Sequence, residues 1–254
     1  MSYSQNYSHL AGGRSAGLAH SSVALEDVWA AHHNQAALAY LTNTSLGISY
    51  ENRYFLNDLS VLNVALVHPT KVANIGFSAS YFGFDLYHQS KFGLNLSRGF
   101  GKSFSAGFQA NYESYYVEEG GNEGNVTFEL GILAKASKKL NIGFAVYNPS
   151  GNYKNKDNDE RLPVIGRLGF AYEVDEKATI TGEVKKQENF SEHYAVGVEY
   201  ALIKQLFLRV GMGINPWTSS FGLGLDFDHW QFNVSYEYAQ TLGNNANLGF
   251  QYHL

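Results

Sequence analysis

From about residue 44 to the end of the chain, apolar and polar residues alternate with a period of two. In residues 104–113 (FSAGFQANYE), every second residue is apolar, and the residues between them are Ser, Gly, Gln, Asn and Glu. Comparable segments begin near positions 46, 60, 75, 92, 126, 142, 168, 180, 194, 206, 221, 232 and 248. Because successive side chains of a strand point to opposite faces, each segment predicts a strand with one apolar and one polar face.

Two features of these segments favour a membrane barrel over a soluble sandwich, which would bury its apolar faces. The segments run for about ten residues, which is the length that a tilted strand needs to cross a bilayer. Tyr and Phe recur near their ends, as in the aromatic girdles of outer-membrane barrels. The pattern therefore predicts an all-β fold, a transmembrane antiparallel β-barrel with its apolar face toward lipid.

The segments number about fourteen, an even count that suits a closed bacterial barrel. Short charged connections alternate with longer ones, of which the longer are expected at 117–125, 148–163 and 239–246. Short turns are periplasmic in such barrels, so both termini are expected in the periplasm. The segment at 60–68 (SVLNVALVH) is partly apolar on both faces. It is expected to face a plug or a neighbouring protein, or to be a strand with a packed inner face.

Composition agrees with this fold and excludes other classes. The 254 residues include 18 Tyr, 17 Phe and 26 Gly, and the mean hydropathy is -0.25. No run of about 18 apolar residues predicts a spanning helix. Cysteine is absent, which excludes disulfides and thiolate chemistry. A net charge of -5 without a basic stripe argues against nucleic acid as a partner.

The first 43 residues do not alternate, and they divide the chain into an N-terminal plug (1–43) and a barrel (44–254). Residues 26–41 (EDVWAAHHNQAALAYL) are Ala-rich with acids in the first turn, which predicts one helix or two short ones. This segment is too short to span a bilayer and is expected to fold into the lumen, where Gly and Ser leave room for it. Residues 1–4 are interpreted as the end of a signal peptide, with a native start or added residues as the alternative.

The N-terminal stretch GGRSAGLAHSSVALEDVWAAHHNQAALA resembles the N-terminal signature of FadL-like outer-membrane barrels, in particular the PorV-like branch of Bacteroidetes. The chain departs from that signature at Gln35, where Pro is usual, and at Ala37, where Gly is usual. The resemblance implies fourteen strands and a lumenal hatch, and the two departures put a working transport gate in doubt. The matching residues are Gly13, Arg14, Gly17, Asp27, Asn34, Ala36 and Leu38.

Candidate chemistry is sparse. His32 and His33 beside Glu26 and Asp27 could suggest a metal site, but adjacent helical residues point about 100° apart, so polar faces of a lumenal segment are the favoured interpretation. Residues 157–160 (DNDE) lack the spacing of a calcium loop. No histidine accompanies a nucleophile motif, so the chain is expected to be neither an enzyme nor a cofactor binder.

Charged residues on the polar faces indicate either a polar conduit or, as favoured here, a lumen sealed by ion pairs and the plug. These predicted lumen-facing residues are Glu113, Glu129, Lys135, Arg167, Glu173, Glu183, Lys185, Glu199 and Arg209.

Two functions follow from these expectations, both in the outer membrane of a Gram-negative bacterium and in contact with its lipid. The first is an accessory or structural subunit of a larger outer-membrane protein export or assembly machine, favoured because no apolar loop offers a capture groove. The alternative is a FadL-like channel for hydrophobic small molecules, which requires a ligand pocket near the plug. The resemblance and the partly apolar inner face at 61–67 support this alternative.

Overall fold

The computed structural model describes residues 10–118, 120–151, 153–155, 160–240 and 243–254. Fourteen strands form one closed barrel in which each strand pairs antiparallel with its neighbours in the chain. The barrel strands are β1 (Ser45–Arg53), β2 (Ser60–His68), β3 (Asn74–Phe84), β4 (Tyr87–Phe100), β5 (Phe104–Val117), β6 (Gly121–Lys135), β7 (Leu140–Tyr147), β10 (Ile165–Glu173), β11 (Ala178–Gln187), β12 (His193–Ile203), β13 (Leu206–Ile214), β14 (Thr218–Phe227), β15 (Trp230–Ala239) and β16 (Gly243–His253). A two-stranded hairpin, β8 (Tyr153–Asn155) with β9 (Glu160–Arg161), lies in the connection between β7 and β10.

The barrel closes where β1 pairs with β16, in a register that places Ser45 opposite His253. We call this the terminus end, because the first and last strands begin and finish there. The predicted antiparallel barrel of about fourteen strands is thus confirmed. Closure leaves no unpaired sheet edge, which a bilayer requires because it cannot satisfy exposed backbone groups.

The alternating pattern sorts side chains between lipid and lumen. The outward side chains Leu94 and Phe221 are 67% and 61% exposed, whereas the inward side chains of Ser105 and Gln109 are fully buried. Outward aromatic residues lie near both ends of the strands, with Tyr81 and Tyr194 at one end and Phe100 and Trp230 at the other. The outer wall therefore has the apolar band with aromatic borders that is typical of transmembrane barrels.

Two of the three predicted longer connections are shorter than expected. Strand β5 extends to Val117 and β6 begins at Gly121. Strand β15 extends to Ala239 and β16 begins at Gly243. The Gly and Asn residues in these stretches predict loops, but pairing between neighbouring strands extends each hairpin into them. Among the strands that the structure describes, the longest connection follows β7 and contains the β8–β9 hairpin.

The N-terminal residues from Leu10 onward lie inside the barrel, mostly buried. They form two short helices, α1 (Gly13–Gly17) and α2 (Ala30–His33), followed by a 3-10 helix at Gln35–Tyr40. A second 3-10 helix, Asn57–Leu59, lies between β1 and β2. None of the described helices is long and apolar enough to cross a membrane.

The helical segment predicted at 26–41 therefore has the form of two short helices, one of the two expected forms, and it begins later than expected. Asn34 is extended, with φ of -164°, and its side chain accepts a hydrogen bond from the backbone of Ala36. An extended residue with this capping bond ends one helix and begins the next.

The inner face of β2 explains its irregular sequence pattern. Val61, Ala65 and Val67 are fully buried, and the last two pack in the same apolar cluster as Trp29 and Ala30 of the N-terminal segment. The expectation that this strand faces a plug is confirmed. We use the name plug for residues 10–41.

The outward face predicts a direct test of membrane insertion. Replacing Leu94, in the middle of β4, by Arg should lower the free energy of unfolding by about 2–4 kcal/mol, because the cation would lie in hydrocarbon. The measurement is guanidinium unfolding of the protein in lipid vesicles. Ser103→Arg, in an exposed turn, is the control and should leave stability unchanged; an equal loss in both variants would contradict a lipid-facing Leu94.

Candidate functional site

The plug fits because glycines remove side chains from the wall where its backbone approaches. A Cβ atom on Gly107 of β5 would collide with the backbone of Ala36 and Gln35, and one on Gly143 of β7 would collide with the carbonyl of Val23. Only glycine permits such close approach of two backbones. The inner wall is thus shaped to the plug, as the Gly- and Ser-lined face had suggested.

Asn34 joins two parts of the plug to the wall. Its amide nitrogen donates to the carbonyl of Val23 at 2.8 Å and to that of Ile132 on β6 at 3.0 Å. Its oxygen accepts from Ala36 N. The side chain is fully buried, so these bonds satisfy groups that would otherwise be costly to bury.

A first ion-pair group holds α1. The Arg14 guanidinium donates to both carboxylate oxygens of Glu199 on β12, at 2.9 and 2.7 Å, and also contacts Asp27 at 3.2 Å. Arg209 on β13 donates to the same Glu199 at 2.5 Å and to Asn233 at 2.7 Å. Bidentate pairing is the strongest geometry that Arg and a carboxylate adopt, so one wall carboxylate ties the plug to two strands.

A second group lies around Glu183 on β11. Its Oε2 accepts from the backbone N–H groups of Ser22 and Val23, both at 3.0 Å. Arg167 on β10 donates to both of its oxygens and also reaches the plug carbonyls of His20 and His33 at 3.2 Å. The plug backbone is therefore held by a paired carboxylate and guanidinium of the wall.

A third group lies around Glu129 on β6. Glu129 accepts from Lys91 of β4 and, at 2.8 Å, from the side-chain amide of Gln35. Gln109 and Asn111 of β5 complete its shell at 3.3 and 3.1 Å. Gln35, which stands where the family signature has Pro, thus makes a plug-to-wall bond that Pro could not make.

The remaining predicted residues have separate places. Glu113 accepts from the hydroxyls of Tyr115 at 2.6 Å and Tyr147 at 2.8 Å. Lys135 pairs with Glu26 of the plug at 2.9 Å. Among the predicted plug residues, Leu38 is buried in the apolar cluster, Gly13 lies against Asn233, and Gly17 lies against Gly222. Among the predicted lumen-facing charges, Glu173 is exposed at the terminus end, and Lys185 is half-buried without an ion pair to a described residue.

The plug histidines act as hydrogen-bonding groups. Burial lowers the pKa of His32 to about 4 and that of His20 to about 3, so both rings are neutral at pH 7. His33 Nε2 accepts from Ala11 N at 3.1 Å, and His32 Nε2 donates to the Val64 carbonyl at 3.0 Å. No described residues group as a metal site, and the side chains of the 157–160 stretch lie outside the described residues.

Space remains on both sides of the plug. Away from the terminus end, a small cavity with room for roughly one or two water molecules is lined by His32, His33, Lys91, Glu129 and Tyr147, among others. At the terminus end, a cleft of about 730 Å³ that includes open solvent is lined by plug residues and by the β6–β7 turn. The plug separates the two spaces.

Sequence reasoning missed an aromatic group on the lumen side of the wall. Phe82, Tyr87, Tyr115 and Tyr147 have the same parity as inward polar neighbours such as Gln89, and all four lie near the strand ends away from the termini. Phe82 and Tyr87 meet edge to face with ring centroids 6.4 Å apart. The sequence did contain a signal for them: in the alternating pattern they fall on the polar positions of each strand, whereas the lipid-facing aromatic residues fall on the apolar positions. We call these four residues the aromatic group.

Solved structures with the same fold cover nearly the whole chain. A Pseudomonas aeruginosa FadL homologue matches with a TM-score of 0.71 at 12% identity, covering 94% of this chain and 97% of its own. The Ralstonia pickettii toluene transporter TbuX matches with 0.72 at 10% identity, covering 98% and 99%. The Pseudomonas putida toluene transporter TodX matches with 0.69 at 12%, covering 96% and 98%. No protein-family model and no curated protein matches this chain.

Glycine contacts predict that a single methyl group displaces the plug. Gly107→Ala should raise hydrogen exchange across residues 34–40, because the added Cβ overlaps the plug backbone. Gly166→Ala is the matched control, since a Cβ there meets nothing within 4 Å. Exchange measured by mass spectrometry in detergent should rise only in the first variant; equal protection in both would exclude close packing at Gly107.

The Glu199 group predicts a large electrostatic effect. Glu199→Gln should lower the free energy of unfolding by about 3 kcal/mol, because Arg14 and Arg209 would stay buried without their carboxylate. Denaturant unfolding measures the loss. Glu192→Gln, in the exposed pair with Lys186, is the control and should behave like wild type. A Glu199→Gln variant as stable as wild type would contradict this account.

Proposed function

We propose that this protein is an outer-membrane channel that passes hydrophobic small molecules, with the plug as its gate. The observation that carries the proposal is the aromatic group, which lies on the lumen side of the wall beside polar inward residues such as Gln89 and Glu113. Phe82 and Tyr87 are partly exposed, and their rings offer apolar contact to a solute that the surrounding polar and charged side chains would not retain. Likeness in fold to two proteins described as toluene transporters supports the same class of solute.

The position of the aromatic group supports a path that begins away from the terminus end. Tyr147 belongs both to this group and to the lining of the small cavity above the plug. His32 and His33 of the plug also line that cavity, so a solute would next meet the plug itself. Passage to the terminus-end cleft therefore needs the plug to shift, which would break bonds such as those from Gln35 and Asn34.

The proposed orientation places the termini in the periplasm. The described turns at the terminus end are short, whereas the one long connection, after β7, lies at the opposite end. Long loops face the outside in outer-membrane barrels, and this supports entry of the solute from outside. No enzymatic step and no cofactor enters the proposal.

Transport should depend on the inward aromatic rings. In cells whose own uptake system is deleted, the double variant Phe82→Ser/Tyr87→Ser should reduce uptake of radiolabelled toluene about fivefold, because two apolar contacts are lost. The control is Tyr81→Ser/His88→Ser, which removes a stacked pair, 5.6 Å between centroids, from the outward face of the same two strands. Its uptake should match wild type.

Equal uptake in wild type and cells without the protein would reject the channel. A reduction by the outward pair as large as that by the inward pair would reject a role for the aromatic group. Surface expression of each variant, measured by heat-modifiable electrophoresis, separates transport from folding.

The second candidate is an accessory subunit of a larger outer-membrane export or assembly machine, as in the PorV-like branch. It is favoured by one observation: three wall carboxylates, Glu129, Glu183 and Glu199, hold the plug on different strands, which suits a permanently closed lumen. Mild detergent extraction separates the candidates. Stoichiometric recovery of a large membrane complex would support the accessory subunit, and recovery of a lone barrel with measurable toluene uptake would support the channel.

A further inference from the structure

The two ends of the barrel differ in charge. At the terminus end, six turns join the strands, and five of them carry lysine. These turns contain six lysines and three acids, Asp175, Glu176 and Asp228, so their net charge is positive. We call the six the lysine ring: Lys71, Lys102, Lys138, Lys139, Lys177 and Lys204.

The opposite end has the reverse charge. Four of its six shorter connections carry acids and none of the six carries lysine or arginine, while the long connection at 148–164 holds three basic and three acidic residues. The acids of the shorter connections are Asp58, Asp85, Glu118, Glu119, Glu188 and Glu192. Because this difference in charge recurs in several separate hairpins, it is a property of the whole end of the barrel.

The lysine ring is available to bind. All six side chains are exposed, and none forms an ion pair with a residue that the structure describes. Lys139 donates to the backbone carbonyl of Val174 at 2.8 Å. Asp175, in the same turn as Lys177, accepts hydrogen bonds from two backbone N–H groups of that turn, those of Lys177 and Ala178.

The lysine ring borders the lipid-facing band. Phe100 and Phe104 flank the turn that contains Lys102, and their rings lie 6.0 Å apart. Trp230 and Tyr252, with ring centroids 4.3 Å apart, lie on the outward face at the same end. Aromatic residues with polar tips mark the membrane–water interface, so these lysines lie at headgroup depth.

We propose that the lysine ring binds the phosphate groups of anionic phospholipids in the leaflet that surrounds the terminus end. The lysines are distributed around the perimeter, one or two to a turn, at the depth of lipid headgroups. A protein partner would instead contact one side of the barrel. Flexible lysine side chains extend toward headgroup phosphates while their methylene groups stay against apolar surface. The proposal stands independently of whether the lumen conducts.

The test is lipid selectivity measured by electron spin resonance. The protein is reconstituted in phosphatidylcholine, and spin-labelled phosphatidylglycerol is compared with spin-labelled phosphatidylcholine at the protein boundary. Wild type should prefer the anionic lipid roughly two- to fourfold at low salt. The preference should shrink toward one at 1 M salt, because added ions screen surface charge.

Three variants locate the effect. Replacing all six lysines by Gln should reduce the preference to about one, whereas replacing them by Arg should preserve it. The end-matched control Asp58→Asn/Asp85→Asn/Glu118→Gln/Glu188→Gln/Glu192→Gln should not lower the preference, because it removes only charges that repel anionic lipid. The proposal is overturned if wild type has no salt-sensitive preference, or if the Gln variant keeps it. Loss of the preference in the Arg variant, or an equal loss in the acidic-end control, would also overturn it.

Discussion

A fourteen-stranded barrel encloses a lumen that its inward side chains cannot fill. Barrels of about eight strands are packed by their own side chains, whereas much larger ones leave an aqueous channel. This chain fills the intermediate space with its own N-terminus. The requirement explains the glycines of the inner wall, because Gly107 and Gly143 let the plug backbone lie directly on the strands. It also explains why β2 has an apolar inner face where the plug presents Trp29 and Ala30.

The plug buries charged side chains of the inner wall, and these need oppositely charged partners. Three wall carboxylates that hold the plug are also paired with basic residues of the wall: Glu199 with Arg209, Glu183 with Arg167, and Glu129 with Lys91. Such pairs leave few uncompensated charges, and breaking any of them is costly. The plug is therefore held by contacts that favour one docked position, and any movement must exchange these bonds for others.

The two candidate functions differ in what they require of the bonds that hold the plug. A channel needs the plug bonds to be exchanged during passage, and the aromatic group supplies the apolar contacts that a hydrophobic solute would use before reaching the plug. An accessory subunit needs no such exchange. The charge difference between the ends of the barrel is compatible with either function, because it concerns the surrounding membrane and lies outside the lumen.

Local pattern was enough to determine the barrel, its strand number and the face turned to lipid. A period of two is visible in ten residues, and segments of that length with aromatic residues near their ends favour a closed transmembrane sheet over a soluble sandwich. The sequence also indicated a lumenal N-terminus and the charges on the polar faces. It misjudged the hairpins at 117–125 and 239–246, where cross-strand pairing extends strands through residues that favour turns.

Only the tertiary structure decided which wall residue meets which part of the plug. Arg14 and Glu199 are separated by 185 positions, and Gln35 and Glu129 by 94, so no local spacing relates them. Their meeting depends on the register of every intervening strand around the barrel. The aromatic group depends instead on the pairing of successive strands, which brings the ends of β3, β4, β5 and β7 to one side of the lumen.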